Sequence, residues 1–156
     1  MSDEQKPRNV VVKTTMGDFT LELFEDMPVT AGNFATLVGK GFYNGTVFHR
    51  IIAGFMIQGG DPKGTGTGGP GYTIRDEFSP KRKNVRGTIA MANAGPNTGG
   101  SQFFINLVDN NYLDSKHPVF GKVISGMEVI NAMGKTPTDR NDRPKTEVKI
   151  ISATLA

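Results

Sequence analysis

Phe48-His49-Arg50-Ile51-Ile52-Ala53-Gly54-Phe55-Met56-Ile57-Gln58-Gly59-Gly60-Asp61 is the stretch on which the reading of the fold turns. From Thr46 to Ile52 it is rich in aromatic and β-branched residues. Gly54 breaks the run and Phe55 to Gln58 resume it, so the segment reads as strand, break, strand. Two polar side chains, Arg50 and Gln58, sit inside these otherwise apolar strands. Alternation places Arg50 on one face with Phe48 and Ile52. For a lone arginine, the plain explanation is the outward face of a half-buried sheet.

Working outward, the same punctuation recurs. Upstream, residues 9–14 are β-branched, Met16-Gly17 makes a turn, and Phe19, Leu21 and Leu23 alternate with polar neighbours, which predicts a hairpin with one buried face. Thr30 is the expected cap of a helix whose face carries Ala31, Phe34, Ala35 and Val38. Gly39 and Gly41 end it. Downstream, residues 59–73 form a glycine-rich loop, and residues 87–92, 102–107 and 118–124 read as strands. Ser125 and Glu128 form an S-x-x-E capping box for a second helix, carrying Met127, Ile130 and Met133 and stopped by Gly134. A charged loop spans 135–146. In the last strand the alternation changes phase between Ile150 and Ile151, which predicts a bulge. Seven or eight short strands and two helices close best as one antiparallel barrel with helices over its open ends. Residues 1–8 read as a flexible tail and 9–156 as a single domain.

Composition narrows the chemistry. The chain has 156 residues with 20 glycines, 9 prolines, two histidines and no cysteine. Disulfides, thiol nucleophiles, cysteine zinc sites and three-histidine metal centres are therefore excluded. Net charge is only +3, without the dense basic stripe of a nucleic-acid binder. No segment approaches the roughly 20 apolar residues that span a bilayer. The polar N-terminus carries no signal-peptide pattern, which makes the cytoplasm the expected location.

Several apparent motifs carry little. Gly64-Thr65-Gly66-Thr67-Gly68-Gly69 contains a literal G-x-G-x-x-G, but Pro70-Gly71 follows where a dinucleotide site needs a helix. Asn44-Gly45-Thr46 is a glycosylation sequon without a secretory context and reads as a turn. Lys81-Arg82-Lys83, with Arg86 nearby, reads as a solvated basic loop, because no aromatic residues interleave it. No serine sits in a nucleophile elbow. The stretch Met91-Ala92-Asn93-Ala94-Gly95-Pro96-Asn97-Thr98-Gly99-Gly100-Ser101-Gln102-Phe103-Phe104-Ile105 is different. Its small residues leave an open floor, beyond which Gln102 and Phe104 project to one side of their strand.

Together these strings, FHRII-GFM-QGGD, GTGG, MANAGPNT-GSQFFI, LD-KH and VFGKV, resemble the cyclophilins, a family of cyclosporin-binding peptidyl-prolyl cis-trans isomerases. The resemblance covers residues 9–156 in family order. It implies a mainly β fold, a closed eight-stranded antiparallel barrel capped by two α-helices. It also implies a cofactor-independent isomerase with no metal. Arg50 and Gln58 are the catalytic residues it points to. Phe55, Met56, Gly66, Ala92, Asn93, Ala94, Gln102, Phe104, Tyr112, Leu113 and His117 are the substrate-binding ones. Tyr112 stands where the family usually has tryptophan, and an insertion common in eukaryotic members before FHRII is missing. Both departures resemble prokaryotic-type members.

The chemistry suits these residue types. About 18–20 kcal/mol of amide resonance separates cis from trans. At the twisted transition state the proline nitrogen regains a lone pair. A donor aimed there binds the transition state and not the planar ground state. Arginine remains charged at every physiological pH. The expected partners are proline-containing peptides and unfolded or partly folded proteins, with weakened cyclosporin binding, no nucleic acid, no membrane, and a monomeric state. The rival expectation is a non-catalytic proline-peptide binding module or holdase on the same fold, with a basic nucleic-acid-binding domain a distant third.

Overall fold

The computed structural model describes residues 8–156. The expected tail lies outside the described residues except for Arg8, which opens the first strand opposite Leu23. The strands are β1 (Arg8–Thr14), β2 (Gly17–Leu23), β3 (Arg50–Ile52), β4 (Met56–Gly59), β5 (Thr88–Met91), β6 (Phe103–Asn106), β7 (Val119–Ser125) and β8 (Ile150–Leu155). The helices are α1 (Pro28–Gly39) and α2 (Met127–Met133). One sheet runs in the order β3-β4-β6-β5-β7-β2-β1-β8, and every neighbouring pair is antiparallel.

Register builds two faces from the alternation. Ile51, Ile57, Ile105 and Ile89 are successive cross-strand partners over β3, β4, β6 and β5. Ile51 is 1% exposed and the other three 0%, so the row lies in the core. Each such burial is worth about 1.5–3 kcal/mol. One residue away along each strand, Arg50, Gln58, Phe104 and Ala90 form a parallel row on the opposite face. Inside, Phe34, Tyr43, Phe103 and Phe120 pack with ring centroids 5.0–5.7 Å apart. The buried Tyr43 hydroxyl donates to the Ser101 carbonyl at 2.9 Å, satisfying its one donor. Helix α1 packs on β1, β7 and β8, and α2 on β2.

The sheet is curled but open. β3 and β8 end the strand order and share no ladder. Val47 makes only isolated bridges, to Asp61 and to Lys149. Beside β3 the Ile51 N–H donates instead to the Asp142 carbonyl at 2.8 Å, so the 139–143 loop occupies the edge that a closed barrel would give to β8. The expected closure is therefore replaced by a half-barrel. Residues 48 and 49 lie outside any strand, which breaks the alternation there. Phe48 is buried at 1% exposure while Arg50 is exposed, so the two do not share a face as expected.

Helix ends also differ from the expectation. The N-cap of α1 is Met27, with Pro28 at the first helical position. Thr30 lies within the helix. Its backbone N–H and hydroxyl, and the Val29 N–H, donate to the Glu77 carboxylate at 2.9–3.1 Å. A carboxylate 47 residues away thus satisfies orphan donors and complements the helix dipole. The S-x-x-E capping box does not form. Ser125 is the last residue of β7, and Gly126 is the N-cap with φ +86°. A side chain at Gly126 would meet the Asp18 carbonyl and Phe19 within 2.5–2.7 Å, so only glycine makes this turn. The bulge in β8 is present: Lys13 pairs with Ser152 and Thr14 with Ile150, leaving Ile151 unpaired and exposed.

Candidate active site

The outer row of the sheet supplies the site. Arg50 on β3 faces Gln58 on β4, which faces Phe104 on β6. Arg50, Phe55, Met56, Gln58, Ala92, Asn93, Phe104, Leu113 and His117 enclose a hollow of about 220 Å³. All nine are expected site residues. The His117 ring stands edge-on to Phe104 at 5.2 Å, and its Nδ1 lies 3.0 Å from the Met91 carbonyl. Gly66, Ala94 and Gln102 line an adjoining groove of about 410 Å³ that shares Gln58, Ala92 and Asn93 with the first hollow. Tyr112 is on the rim instead. It is 68% exposed in a short 3-10 turn, its ring stacked on Phe55 at 6.4 Å and 15°. Asn93 is held by its amide, which donates to the Lys116 carbonyl at 2.7 Å.

A chain of amides orients the arginine. Gln102 Nε2 donates to the carbonyls of Gly66 and Gly68, both at 3.0 Å. Its Oε1 is then turned to accept from Gln58 Nε2 at 3.1 Å. Gln58 Oε1 is left facing Arg50 Nη1 at 3.4 Å. Two amides so fixed present an acceptor to the guanidinium, which keeps most of its five donors for a substrate. Arg50 has no ion pair among the described residues.

The loop beneath Gln102 is organised by Asp61, which is fully buried. Its carboxylate accepts from the backbone N–H groups of Lys63, Thr65 and Gly66 at 2.6–3.0 Å. Burial alone would raise this carboxyl, but those bonds and one from Gly68 outweigh it and hold it below the ordinary 3.8. Neither this role nor the groove residues Pro70, Tyr72, Thr73 and Thr98 were among the expected site residues. The Asp following Gly59-Gly60 is the one sequence signal that could have marked the loop's anchor. The basic loop is partly tied down: Arg82 Nε donates to both Asp26 carboxylate oxygens at 3.0 and 3.1 Å, and its guanidinium lies 3.6 Å over the Phe24 ring.

His49 borders the site and is 8% exposed. Burial first, then Arg143 and Arg50, push its imidazole below the ordinary 6.5, against the opposing pull of Asp61. The unfolded chain therefore takes up this proton at higher pH than the folded one. Stability contributed by the neutral ring should be intact above about pH 6.5 and decline as pH falls below it. Urea unfolding at pH 7.5 and 5.5 should show the loss, and His49→Gln should shrink it. Equal pH dependence in the two proteins would refute the assignment.

Comparison with known proteins gives a consistent result. Residues 9–155 match the family model described as cyclophilin type peptidyl-prolyl cis-trans isomerase/CLD. A Neurospora crassa peptidyl-prolyl cis-trans isomerase-like 1 is 57% identical over 150 residues, covering 93% of this chain and 92% of that protein. The Homo sapiens protein of the same name is 50% identical over 156 residues, covering 97% and 94%. A Cryptosporidium parvum cyclophilin-type isomerase structure aligns with TM-score 0.93 at 39% identity, covering 97% of this chain and 98% of that one. Its counterpart crystallised in the presence of the dipeptide Ala-Pro aligns at 0.92 and 40%, covering 95% and 98%. These relatives are eukaryotic, so the prokaryotic-type expectation drawn from Tyr112 and the missing insertion is not supported.

Proposed function

The chain belongs to the cyclophilin-type peptidyl-prolyl cis-trans isomerases, and on that premise we propose that Arg50 is the donor that stabilises the twisted X–Pro bond, with Gln58 holding it in place. The enzyme interconverts cis and trans X–Pro bonds, and the family binds proline-containing peptides. Phe55, Met56, Phe104, Leu113 and His117 receive the proline ring in the 220 Å³ hollow. The residue before proline lies along Ala92–Ala94. As the bond twists, the ring stays in its apolar seat while the proline nitrogen pyramidalises toward the guanidinium. The observation that carries this reading is the cross-strand row Arg50–Gln58–Phe104, which sets a charged donor beside an apolar seat. No nucleophile, base, metal or cofactor is required, because no covalent bond is made or broken. The enzyme acts as a monomer on unfolded or partly folded chains in the cytoplasm, without nucleic acid or membrane.

Cis–trans exchange of an Ala-Pro peptide, followed by NMR with and without the protein, tests the assignment. The rival, a binding module without catalysis, predicts bound peptide and an unchanged exchange rate. Retention of Arg50 disfavours it, since a mere pocket needs the rings more than the donor.

Tyr112 sets the drug response. The resemblance implies a tryptophan N–H donor to a cyclosporin carbonyl at this position. Tyr112 keeps a stacked wall but no indole N–H, which leaves the carbonyl unpaired at about 1–3 kcal/mol. Cyclosporin should bind roughly 10- to 100-fold more weakly than to Tyr112→Trp, with isomerase activity retained in both. Equal drug affinity in a direct titration would defeat this.

A further inference from the structure

Past β3 the surface continues into another hollow, of about 550 Å³, which shares Arg50, Gln58 and Gly66 with the site already described. Arg50, His49, Thr65, Asn141 and Arg143 line it. Arg50 lines both this hollow and the proline seat, so the two are contiguous. Their order is fixed by the sheet. Asn93 follows β5, Phe104 lies on β6, Gln58 on β4 and Arg50 on β3. The 141–143 segment comes next, pinned through the Asp142 carbonyl to the Ile51 N–H at 2.8 Å and through Arg143 Nη1 to the Gly64 carbonyl. A peptide with its X residue at Asn93 and its proline at Phe104 therefore runs on over Arg50 toward Arg143. Extended chain advances about 3.3–3.6 Å per residue, so the first two residues after proline pass this hollow.

Its lining carries two guanidinium groups and no carboxylate. Neither Arg50 nor Arg143 has an ion-pair partner among the described residues. The nearby Asp61 and Asp139 carboxylates keep their charge but are turned toward backbone donors and not toward either guanidinium. Asp61 accepts from the backbone of residues 63–66, and Asp139 accepts from the backbone N–H groups of Asn141 and Arg143. Asp142 makes no ion pair with either arginine. His49 Nδ1 is buried there without a hydrogen-bond partner. Cationic groups facing a concave surface raise the local concentration of anionic ligand groups.

We propose that this hollow receives an anionic side chain, carboxylate or phosphoester, carried by one of the first two residues after the proline. The proposal rests on the isomerase reading of the adjoining seat. It makes X–Pro bonds followed by an acidic or phosphorylated residue the preferred substrates, with Arg143 the specificity-determining residue and Arg50 shared between the two hollows.

The test is NMR exchange catalysis on acetylated peptides Ala-Pro-Z-Ala and Ala-Pro-Ala-Z, with Z glutamate, phosphoserine, glutamine or lysine, at low salt. At one of the two positions glutamate or phosphoserine should exceed glutamine by about fivefold and lysine by about tenfold, the scale of a partly exposed charge pair. The faster of the two anions identifies whether carboxylate or phosphoester is the better ligand. The preference should fall below about twofold at 0.5 M salt, where the Debye length is only a few ångströms. Arg143→Gln should collapse the ratio and Arg143→Glu should invert it. Ratios are taken within one preparation, so partial unfolding of a variant does not alter them, and the salt titration needs no variant. Equal turnover of all four Z residues at both positions, or an undiminished ratio in Arg143→Gln, overturns the proposal while leaving the isomerase reading intact. All eight peptides exchanging at the uncatalysed rate would defeat both.

Discussion

Arg50→Ala is expected to lower kcat/KM for an Ala-Pro peptide by 10²–10³-fold, because a donor that acts mainly in the transition state is worth about 3–4 kcal/mol. The fold should be untouched. Arg50 is exposed and makes a single long bond to Gln58 at 3.4 Å, so its removal empties no core. Peptide affinity should change little, since the ring seat formed by Phe55, Met56, Phe104 and Leu113 remains. Loss of turnover with binding retained is the signature of a transition-state interaction. A rate within threefold of wild type would remove Arg50 from the donor role. Phe104→Ala offers the contrast: Phe104 is 4% exposed in the seat itself, so its truncation should weaken peptide binding as well as turnover.

The second large effect is expected at Asp61, which does not line the proline seat. Asp61→Ala removes the acceptor of the Lys63, Thr65 and Gly66 N–H groups, and of Gly68 as well. Each buried donor left unpaired costs about 1–3 kcal/mol. Thr65 and Gly66 are exposed, so water can reach part of the loop, and the net loss should be about 3 kcal/mol. The carboxyl is held below 3.8, so this contribution is present at neutral pH and is lost progressively as pH falls below about 3.8. The loop also supplies the Gly66 and Gly68 carbonyls that fix Gln102, and through Gln102 and Gln58 the arginine. Turnover should therefore drop about tenfold even in the fraction that remains folded, the scale of a displaced catalytic group. Asp61→Asn, which keeps one acceptor oxygen, should fall between. An unchanged urea midpoint in Asp61→Ala would show that the loop is held by something else.

Much of the site was legible because its first layer is local. A period of two along β3 and β4 sends Ile51 and Ile57 to one face and Arg50 and Gln58 to the other, whatever lies around them. The phase change at Ile150 and Ile151 forecasts an unpaired residue for the same reason. The ordered strings from FHRII to VFGKV then assign a family, and with it the cross-strand partner Phe104 and the seat residues. Where the local rule failed, a tertiary contact had replaced the local partner. Glu77 reaches back across 47 residues to do what Thr30 was expected to do as a cap. Gly126 makes the turn into α2 because the hairpin backbone comes too close for any side chain.

What the sequence by itself determined is the set of residues on each strand face, the family, and the residue types able to do the chemistry. Tertiary structure alone decided how those residues are aimed. The amide relay from Gly66 and Gly68 through Gln102 and Gln58 to Arg50 spans three separate segments, and its direction depends on which end, oxygen or nitrogen, each amide turns toward its neighbour. The openness of the barrel was settled by a loop carbonyl, Asp142, occupying the β3 edge. The same loop brings Arg143 beside Arg50 across more than ninety residues of chain. Alternation and capping patterns act over a few residues, whereas loop docking and hydrogen-bond direction are fixed only once distant segments share one surface.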